Sequence, residues 1–171
     1  MERNIARAMA ALTTGIYVLT IREDEHCHGM SASWVAQASG EPTLLTVAVD
    51  KRHHSHRAIK RTGAFGLNVV GRRGKALEDY FYSAQSRRMD NLDSVAFVLS
   101  PKLRVPWLKL AMVKIEARVS RSVSAGDHTI FIAEPIGVTI GARDRPLTSL
   151  DLDYVYVGGS KLVPRNRSGW K

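Results

Sequence analysis

Residues 111–120 read Ala-Met-Val-Lys-Ile-Glu-Ala-Arg-Val-Ser, an alternation of apolar side chains with mostly polar ones. This period of two is typical of a half-buried antiparallel strand. Further on, Ala125-Gly-Asp127 reads as a turn, and Thr129 to Ala133 opens a return strand rich in β-branched and aromatic residues. The apolar residues 138–140 can extend that strand. The sequence therefore predicts a long antiparallel hairpin.

The rest of the chain adds more short strands than helices. Strands are predicted over residues 16–21, 29–38, 43–49, 65–70, 95–99 and 154–157, the second pairing with the first. Short helices are predicted over residues 4–12, 55–62 and 74–84, with Asn4 and Ser55 as N-caps and Gly63 just after the second helix. About seven or eight short strands with few helices are typical of a closed or nearly closed antiparallel β-barrel. The predicted fold class is mainly β.

The composition is that of one ordinary globular domain. The chain has 171 residues, 44% of them hydrophobic and 24% charged, which suffices for one core and is too apolar for disorder. Cys27 is the single cysteine, so an internal disulfide is excluded and a cytoplasmic setting is expected. The N-terminus lacks the pattern of a secretory signal, and the densest apolar run, residues 44–49, is too short for a bilayer. No membrane association is expected.

The charge is strongly positive, with 25 Lys and Arg against 16 Asp and Glu and a formal net charge of +9. Residues 51–75 hold eight basic residues and no acidic one, and a second basic cluster lies within residues 161–171. This excess favours anionic partners: nucleic acids, anionic lipids or small phosphorylated ligands. Nucleic-acid binding is helped by aromatic residues among the basic ones, and the first stretch offers only Phe65, which fits a core. No nucleic-acid partner is expected.

Residues 47–56 have the features of a phosphate site. A strand ends at Asp50, a basic loop follows with Lys51 or Arg52 as the nearby cation, and Ser55 can cap the next helix. Helix N-termini carry unpaired N–H groups and a positive partial charge, which favour anions. The alternative is an ordinary capped helix with a basic approach, and both interpretations stay open at this point.

Two other groups of side chains are candidates for a site. Ser31 and Ser33 place hydroxyls on one strand face, where they can bond the polar rim of a ring, and Trp34 follows them. The alternative is a plain alternating strand with Trp34 in the core. His128 stands beside Asp127 at the hairpin turn, where it is either catalytic or simply exposed.

Several common motifs are missing from the chain. No G-x-G-x-x-G follows a strand, no P-loop is present, and no G-x-S-x-G elbow accompanies the histidine. In His26-Cys27-His28 only the two histidines can share a strand face, and no other metal-binding spacing supports them. No metal is expected.

Six short segments, in order along the chain, resemble the motifs of one family. They are Gly15-Ile-Tyr-Val-Leu-Thr20, Gly29-Met-Ser-Ala-Ser-Trp34, Glu41-Pro42 with Val47-Ala-Val-Asp-Lys51, Ser55-His56, Phe65-Gly-Leu-Asn-Val69 and Ala125-Gly-Asp-His-Thr-Ile-Phe131. The family is the flavin reductase-like domain, an FMN-binding split barrel, and the resemblance runs from about Leu12 to Ser160. Residues 32–39 are especially similar to the flavin reductase domain at the end of diflavin flavoproteins.

The resemblance implies a split antiparallel β-barrel of Greek-key type, in a homodimer that binds FMN or FAD near the subunit interface. NADH or NADPH would reduce the flavin, and the reduced flavin would serve an oxygenase, ferric iron or another acceptor. The implied cofactor contacts are Met30, Ser31, Ala32, Ser33, Trp34, Val49, Asp50, Lys51, Ser55, His56, Asn68 and Tyr156.

Particular roles follow from the same resemblance. Ser31 and Ser33 would hold the edge of the isoalloxazine ring, whereas Lys51, Ser55 and His56 would hold the phosphate. Asn68 would lie near the ring or the ribityl chain, and Tyr156 would border the nicotinamide pocket. His128 would line the nicotinamide side as the catalytic residue.

Three departures from the family pattern affect these roles. Ala32 stands in place of a hydroxyl residue, and His53 and His54 stand where small hydroxyl residues are usual. The family's Asp-x-Phe segment has only a loose counterpart in residues 89–92.

Two other functions stay open. One is an FMN-containing electron carrier, similar to flavoredoxin, without its own NAD(P)H:flavin turnover. The other is a basic binding module without flavin. In each case we expect one domain over residues 1–160 and a basic tail over residues 161–171.

Overall fold

The computed structural model describes residues 3–83, 90–141, 143–158 and 162–164. Among these residues the α-helices are α1 (Arg3–Ala10), α2 (His54–Thr62) and α3 (Lys75–Tyr82). The strands are β1 (Tyr17–Glu23), β2 (His26–Ala32), β3 (Val35–Gly40), β4 (Thr43–Asp50), β5 (Ala64–Val69), β6 (Phe97–Leu99), β7 (Pro106–Leu108), β8 (Val113–Ala125), β9 (His128–Ile140), β10 (Tyr154–Tyr156) and β11 (Leu162–Pro164). Apart from β11, the predicted basic tail lies outside the described residues. None of the described helices has the length and apolar character needed to cross a bilayer.

Seven strands form one antiparallel sheet in the order β2-β1-β5-β8-β9-β4-β3. β8 and β9 are the predicted hairpin, and Gly126 at its turn adopts a φ of 58°, which favours glycine. The predicted extension of the return strand is confirmed, since Val138 pairs with Ile115. The predicted fold class, mainly β with an antiparallel sheet and few helices, is confirmed.

The two edge strands of this sheet are joined by only two residues. β2 ends at Ala32 and β3 begins at Val35, yet the two strands stand at opposite ends of the strand order. Three Cα–Cα steps span at most about 11 Å, so the sheet must curl until its edges nearly meet. The result is a barrel with a split at Ser33 and Trp34. The single strand predicted over residues 29–38 is therefore wrong, because only its first part pairs with β1 and the rest pairs with β4.

The inside of the barrel is an apolar core, and a second core lies beneath α3. The predicted alternation along β8 fails at Glu116, which is fully buried. The register of β8 shifts between Glu116 and Ala117, and such a bulge interrupts the period of two. The backbone N–H groups of Lys102 and Leu103 donate to Glu116 Oε2 at 3.1 and 2.7 Å. The Glu116 carboxylate therefore holds the loop that contains Lys102 and Leu103 against the barrel.

Both N-caps predicted from the sequence are wrong. Within the described residues α1 already begins at Arg3, which places Asn4 in its first turn. α2 is capped by His53, whose Nδ1 accepts a hydrogen bond from the backbone N–H of Ser55 at 3.2 Å. The predicted C-terminal end of α2 is confirmed, with Gly63 at a φ of 67°.

Residues 148–157, here called the C-terminal strap, run across the helical side of the barrel. Asp151 forms an ion pair with Arg72, just before α3. Val155 and Val157 pack against α1. These contacts on two separate elements hold the strap in one position.

Candidate functional site

A cavity of about 610 Å³ opens at the split between β2 and β3. This volume is in the usual range for small-molecule sites. Eight of the predicted site residues line it: Met30, Ser31, Ala32, Ser33, Trp34, Asp50, His128 and Tyr156. Six further residues line it: Gly29, Ala48, Arg52, His53, Phe81 and Tyr82. The cavity lining therefore includes residues of β2, β4, α3, β9 and the strap.

Three rings form one wall of the cavity. The centroid of the Trp34 ring lies 4.6 Å from that of His128 and 5.3 Å from that of Tyr156. Trp34 is half-buried and faces the cavity, so the core interpretation of this residue is wrong. Such a wall offers flat apolar faces with polar tips, which suits a planar ligand.

His128 is held in a defined orientation within this wall. Its side chain is only 6% exposed, and Nδ1 lies 2.7 Å from Asp127 Oδ1. The hydrogen bond with His128 lowers the pKa of the Asp127 carboxyl, which therefore accepts the Nδ1 proton. Nε2 is then the nitrogen left for a ligand. The alternative of a merely exposed turn histidine is wrong.

Asp50 and Arg52 form a charge pair at the cavity. The Asp50 carboxylate accepts from Arg52 Nε at 3.2 Å, from an Arg52 terminal nitrogen at 2.8 Å and from the Arg52 backbone N–H at 2.8 Å. The hydrogen bond with the guanidinium holds the pKa of Asp50 at about 2. The carboxylate is therefore ionised at neutral pH, and its charge is matched by its neighbour.

The side chains predicted to hold phosphate do not line the cavity. Lys51 reaches instead to the β8–β9 turn, where Nζ donates to the carbonyl of Gly126 at 2.5 Å. His56 Nε2 lies 2.8 Å from Thr129 Oγ1, and Ser55 is buried with none of its surface exposed. The structure therefore does not bring Lys51, Ser55 and His56 together at the cavity, and their contact with one anion stays a prediction.

His53 takes the place that was predicted for Ser55. Its ring lines the cavity, and its Nδ1 caps α2. Burial, together with the nearby His28 and His54, lowers the pKa of His53 to about 4. The ring is therefore neutral at neutral pH, as the accepting role of Nδ1 requires.

Two other predicted contacts lie away from the cavity. Val49 is fully buried in the barrel core. Asn68 is also fully buried, and its Nδ2 donates to Val18 O at 3.2 Å and Thr20 Oγ1 at 3.1 Å. Its Oδ1 accepts from Leu108 N at 2.8 Å. The amide thus joins three strands away from the cavity, and the contact of Asn68 with a ring or ribityl chain stays a prediction.

Comparison with known proteins decides the family. The family model described as the flavin reductase like domain matches residues 9–158. The chain belongs to this family. The identification made from six sequence motifs is thereby confirmed. The predicted enzyme class and the predicted use of a flavin with NAD(P)H are confirmed as well.

Relatives of this flavin reductase-like chain carry several names. NADH-dependent flavin reductase StyB of Pseudomonas fluorescens is 34% identical over 128 residues, 74% of this chain and 72% of StyB. High molecular weight rubredoxin of Moorella thermoacetica is 26% identical over 144 residues, 83% of this chain and 62% of that protein. The predicted likeness to diflavin flavoproteins is confirmed by this second relative. The chain thus spans less than two thirds of the rubredoxin's length.

Solved structures show the same fold. The NADH:FAD oxidoreductase SgcE6 of Streptomyces globisporus C-1027 superposes with a TM-score of 0.77 at 24% identity, covering 84% of this chain and 86% of SgcE6. SgcE6 has also been solved with NAD and FAD fragments. The flavin reductase PheA2 in its native state superposes with a TM-score of 0.74 at 25% identity, covering 98% of this chain and 100% of PheA2.

The cavity of this family member fits a flavin. An isoalloxazine is a flat ring system with apolar faces and a polar edge. Trp34 and Tyr156 supply flat surfaces, and the hydroxyl residues Ser31 and Ser33 lie on the same lining. Ala32 also lines the cavity, and it offers a methyl group where the family has a hydroxyl.

Asp90 and Asn91 belong to the segment that matches the family pattern only loosely. They support the cavity lining from outside. Asp90 Oδ1 accepts from the Cys27 backbone N–H at 3.1 Å. The Asn91 side chain accepts from Gly29 N at 2.7 Å and donates to Gly29 O at 2.6 Å, as a neighbouring strand would. These bonds hold the edge strand β2, and with it the cavity lining. Met89 lies outside the described residues.

A buried polar contact, which the sequence did not reveal, ties the strap to α3. The Tyr154 hydroxyl donates to Glu78 Oε1, and the Tyr154 ring lies 5.0 Å from that of Tyr82. Burial raises the pKa of Glu78. Tyr82 lines the cavity from α3, and Tyr156 lines it from the strap. The contact therefore joins two parts of the cavity wall.

Replacing Tyr154 by phenylalanine should loosen this wall. We expect a loss of about 1–2 kcal/mol in the free energy of unfolding, because the buried Glu78 loses a donor. Flavin affinity should fall about threefold, since roughly 0.6 kcal/mol of positioning is lost. Denaturant unfolding and flavin titration measure the two effects. Glu78→Gln is the milder matched variant, because its amide oxygen still accepts. Unchanged stability and affinity in Tyr154→Phe would contradict this role of the strap.

Proposed function

We propose that this chain is an NAD(P)H-dependent flavin reductase that takes FMN or FAD in the cavity at the barrel split. The observation that carries the proposal is the meeting of Ser31 and Ser33 with Trp34, His128 and Tyr156 in one cavity. The name of StyB, an NADH-dependent flavin reductase, supports it. The chain has no dinucleotide-binding fingerprint, so the nicotinamide is expected to enter the same cavity.

The task of the chain's own residues is to orient two reactants. A bound flavin supplies the hydride-accepting chemistry. Ser31 and Ser33 would hold the edge of the flavin ring, and Trp34 and Tyr156 would contact its flat surface. His128, fixed through Asp127, would present Nε2 to the nicotinamide side. Correct relative orientation of this kind accounts for a large share of such rate enhancements.

We propose that the reduced flavin leaves for an oxygenase or a related acceptor. Two structural relatives support this proposal by their names. One is BorF, the flavin reductase component of a bacterial two-component tryptophan halogenase, and the other is nitrilotriacetate monooxygenase component B from Mycobacterium thermoresistibile.

An electron carrier is the second candidate. High molecular weight rubredoxin, one of the relatives, favours it by its name. Such a carrier would hold flavin and exchange electrons with partner proteins without turnover of its own on NAD(P)H.

The function is tested by NAD(P)H oxidation with added flavin as acceptor. We expect oxidation of NADH or NADPH that depends on riboflavin, FMN or FAD and saturates with each reactant. A protein that binds flavin yet oxidises neither nucleotide would support the electron carrier. A protein that neither binds flavin nor oxidises nucleotide would contradict both proposals.

We propose further that the working unit is a homodimer. Val138 and Ile140, at the end of the β8–β9 hairpin away from its turn, are 60% and 78% exposed. Burial of such apolar side chains by a second copy would stabilise an assembly. Sedimentation analysis of the full chain is expected to give twice the chain mass of 18.9 kDa, and a mass of one chain would contradict the dimer.

A further inference from the structure

His53 stands where helix α2 meets the cavity. Its ring lines the cavity and stands at the N-cap position of α2. In a site for a phosphorylated ligand, this is where unpaired helix N–H groups would face the anion. Here the position is occupied by a side chain of the protein itself.

Two of the first-turn donors of α2 are already engaged by His53. Ser55 N donates to His53 Nδ1 at 3.2 Å, and His56 N donates to His53 O at 3.1 Å. The hydroxyl of Ser55, at the same turn, is fully buried and has no hydrogen-bond partner among the described residues. This turn thus holds a polar group suited to an anion, but His53 lines the cavity and Ser55 does not.

Among the described residues, the two cations of the loop before α2 do not replace these donors. Lys51 Nζ is turned to the β8–β9 turn, where it donates to Ser124 Oγ at 2.8 Å and to Gly126 O. The guanidinium of Arg52 is paired with Asp50, so its charge is already compensated. A phosphate entering here would therefore gain little from the loop.

We propose that His53 makes this flavin site insensitive to the flavin phosphate, so that riboflavin, FMN and FAD are bound with similar affinity. This inference rests on the proposed function and specifies its substrate class. The residues of the split recognise the isoalloxazine ring. The phosphate-bearing tail of the flavin contributes little to the affinity. A flavin held only by its ring exchanges readily, which suits a substrate that diffuses to a partner.

Flavin titration of the full chain and three variants tests this role. For the wild type we expect dissociation constants for riboflavin and FMN within about threefold of each other. His53→Gly frees the Ser55 amide and opens the space, and glycine is tolerated at an N-cap. It should tighten FMN relative to riboflavin by about five- to tenfold, the amount expected for an anion at a helix N-terminus. His53→Asn restores a capping side chain and should return the ratio toward that of the wild type.

His54→Ala is the matched control. His54 is the adjacent histidine, but its Nε2 lies 3.6 Å from Glu23, and it is not among the residues that line the cavity. The FMN-to-riboflavin ratio of this variant should equal that of the wild type.

Two results would overturn the inference. One is a wild-type protein that binds FMN or FAD more than about threefold tighter than riboflavin. The other is a His53→Gly protein, shown to be folded by its unfolding transition, whose ratio is unchanged. Failure of the proposed function has a different signature, because then none of the three flavins would bind to the wild type or to any variant.

Discussion

Replacing His128 by alanine is expected to lower kcat for NAD(P)H oxidation by about 100-fold while flavin affinity changes less than about threefold. The reason is the placement of His128. Its imidazole is almost fully enclosed, is fixed through Nδ1 by Asp127, and lies 4.6 Å from the Trp34 ring. Without the imidazole, the nicotinamide loses its orienting contact, whereas the edge of the flavin ring keeps Ser31 and Ser33.

The measurement is steady-state turnover at saturating flavin, paired with flavin titration of the same preparation. His54→Ala is the control histidine, since His54 Nε2 lies 3.6 Å from Glu23 and His54 is not among the residues that line the cavity. It should leave kcat unchanged. A His128→Ala protein that turns over normally, or one that loses flavin binding itself, would show that the assigned role is wrong.

Replacing Asn68 by alanine should affect stability and not flavin affinity. The change leaves the buried backbone N–H of Leu108 without its acceptor and removes the donor to Val18 O and Thr20. We expect a loss of about 2–4 kcal/mol in the free energy of unfolding. In a chain of this size that lowers the melting temperature by roughly 5–10 °C.

Denaturant unfolding of Asn68→Ala and flavin titration of its folded form measure the two quantities. Gln37→Ala, an exposed change on β3, is the control and should stay within about 0.5 kcal/mol of the wild type. Should Asn68→Ala instead keep full stability and lose flavin affinity, the residue would belong to the site after all.

Much of the fold could be predicted because the signals are local. The alternation on β8, the turn at Gly126 and the end of α2 at Gly63 depend on side-chain period and on backbone conformations that favour glycine. The split could not be predicted from such signals. Nothing in residues 29–38 marks the break at Ser33 and Trp34, which exists because the two edges of a curled sheet must be joined.

The cavity was predicted well where its residues are consecutive and poorly where they are not. Residues 30–34 follow one another through the split, so a motif could identify them. Arg52 and His53 line the cavity where Lys51 and Ser55 had been expected. The reason is that tertiary packing, not capping preference, determines which side chains of the loop face the cavity. Serine is the better N-cap in isolated helices, yet here it is enclosed. Tyr82 could not be found at all, since α3 meets the strap only in the folded chain.

A crystal structure of the chain grown with excess FMN tests the central claim most directly. The account predicts isoalloxazine density at the split between β2 and β3, with the ring edge near Ser31 and Ser33 and its face toward Trp34, His128 and Tyr156. An empty split under these conditions, or a flavin bound elsewhere on the barrel, would contradict it.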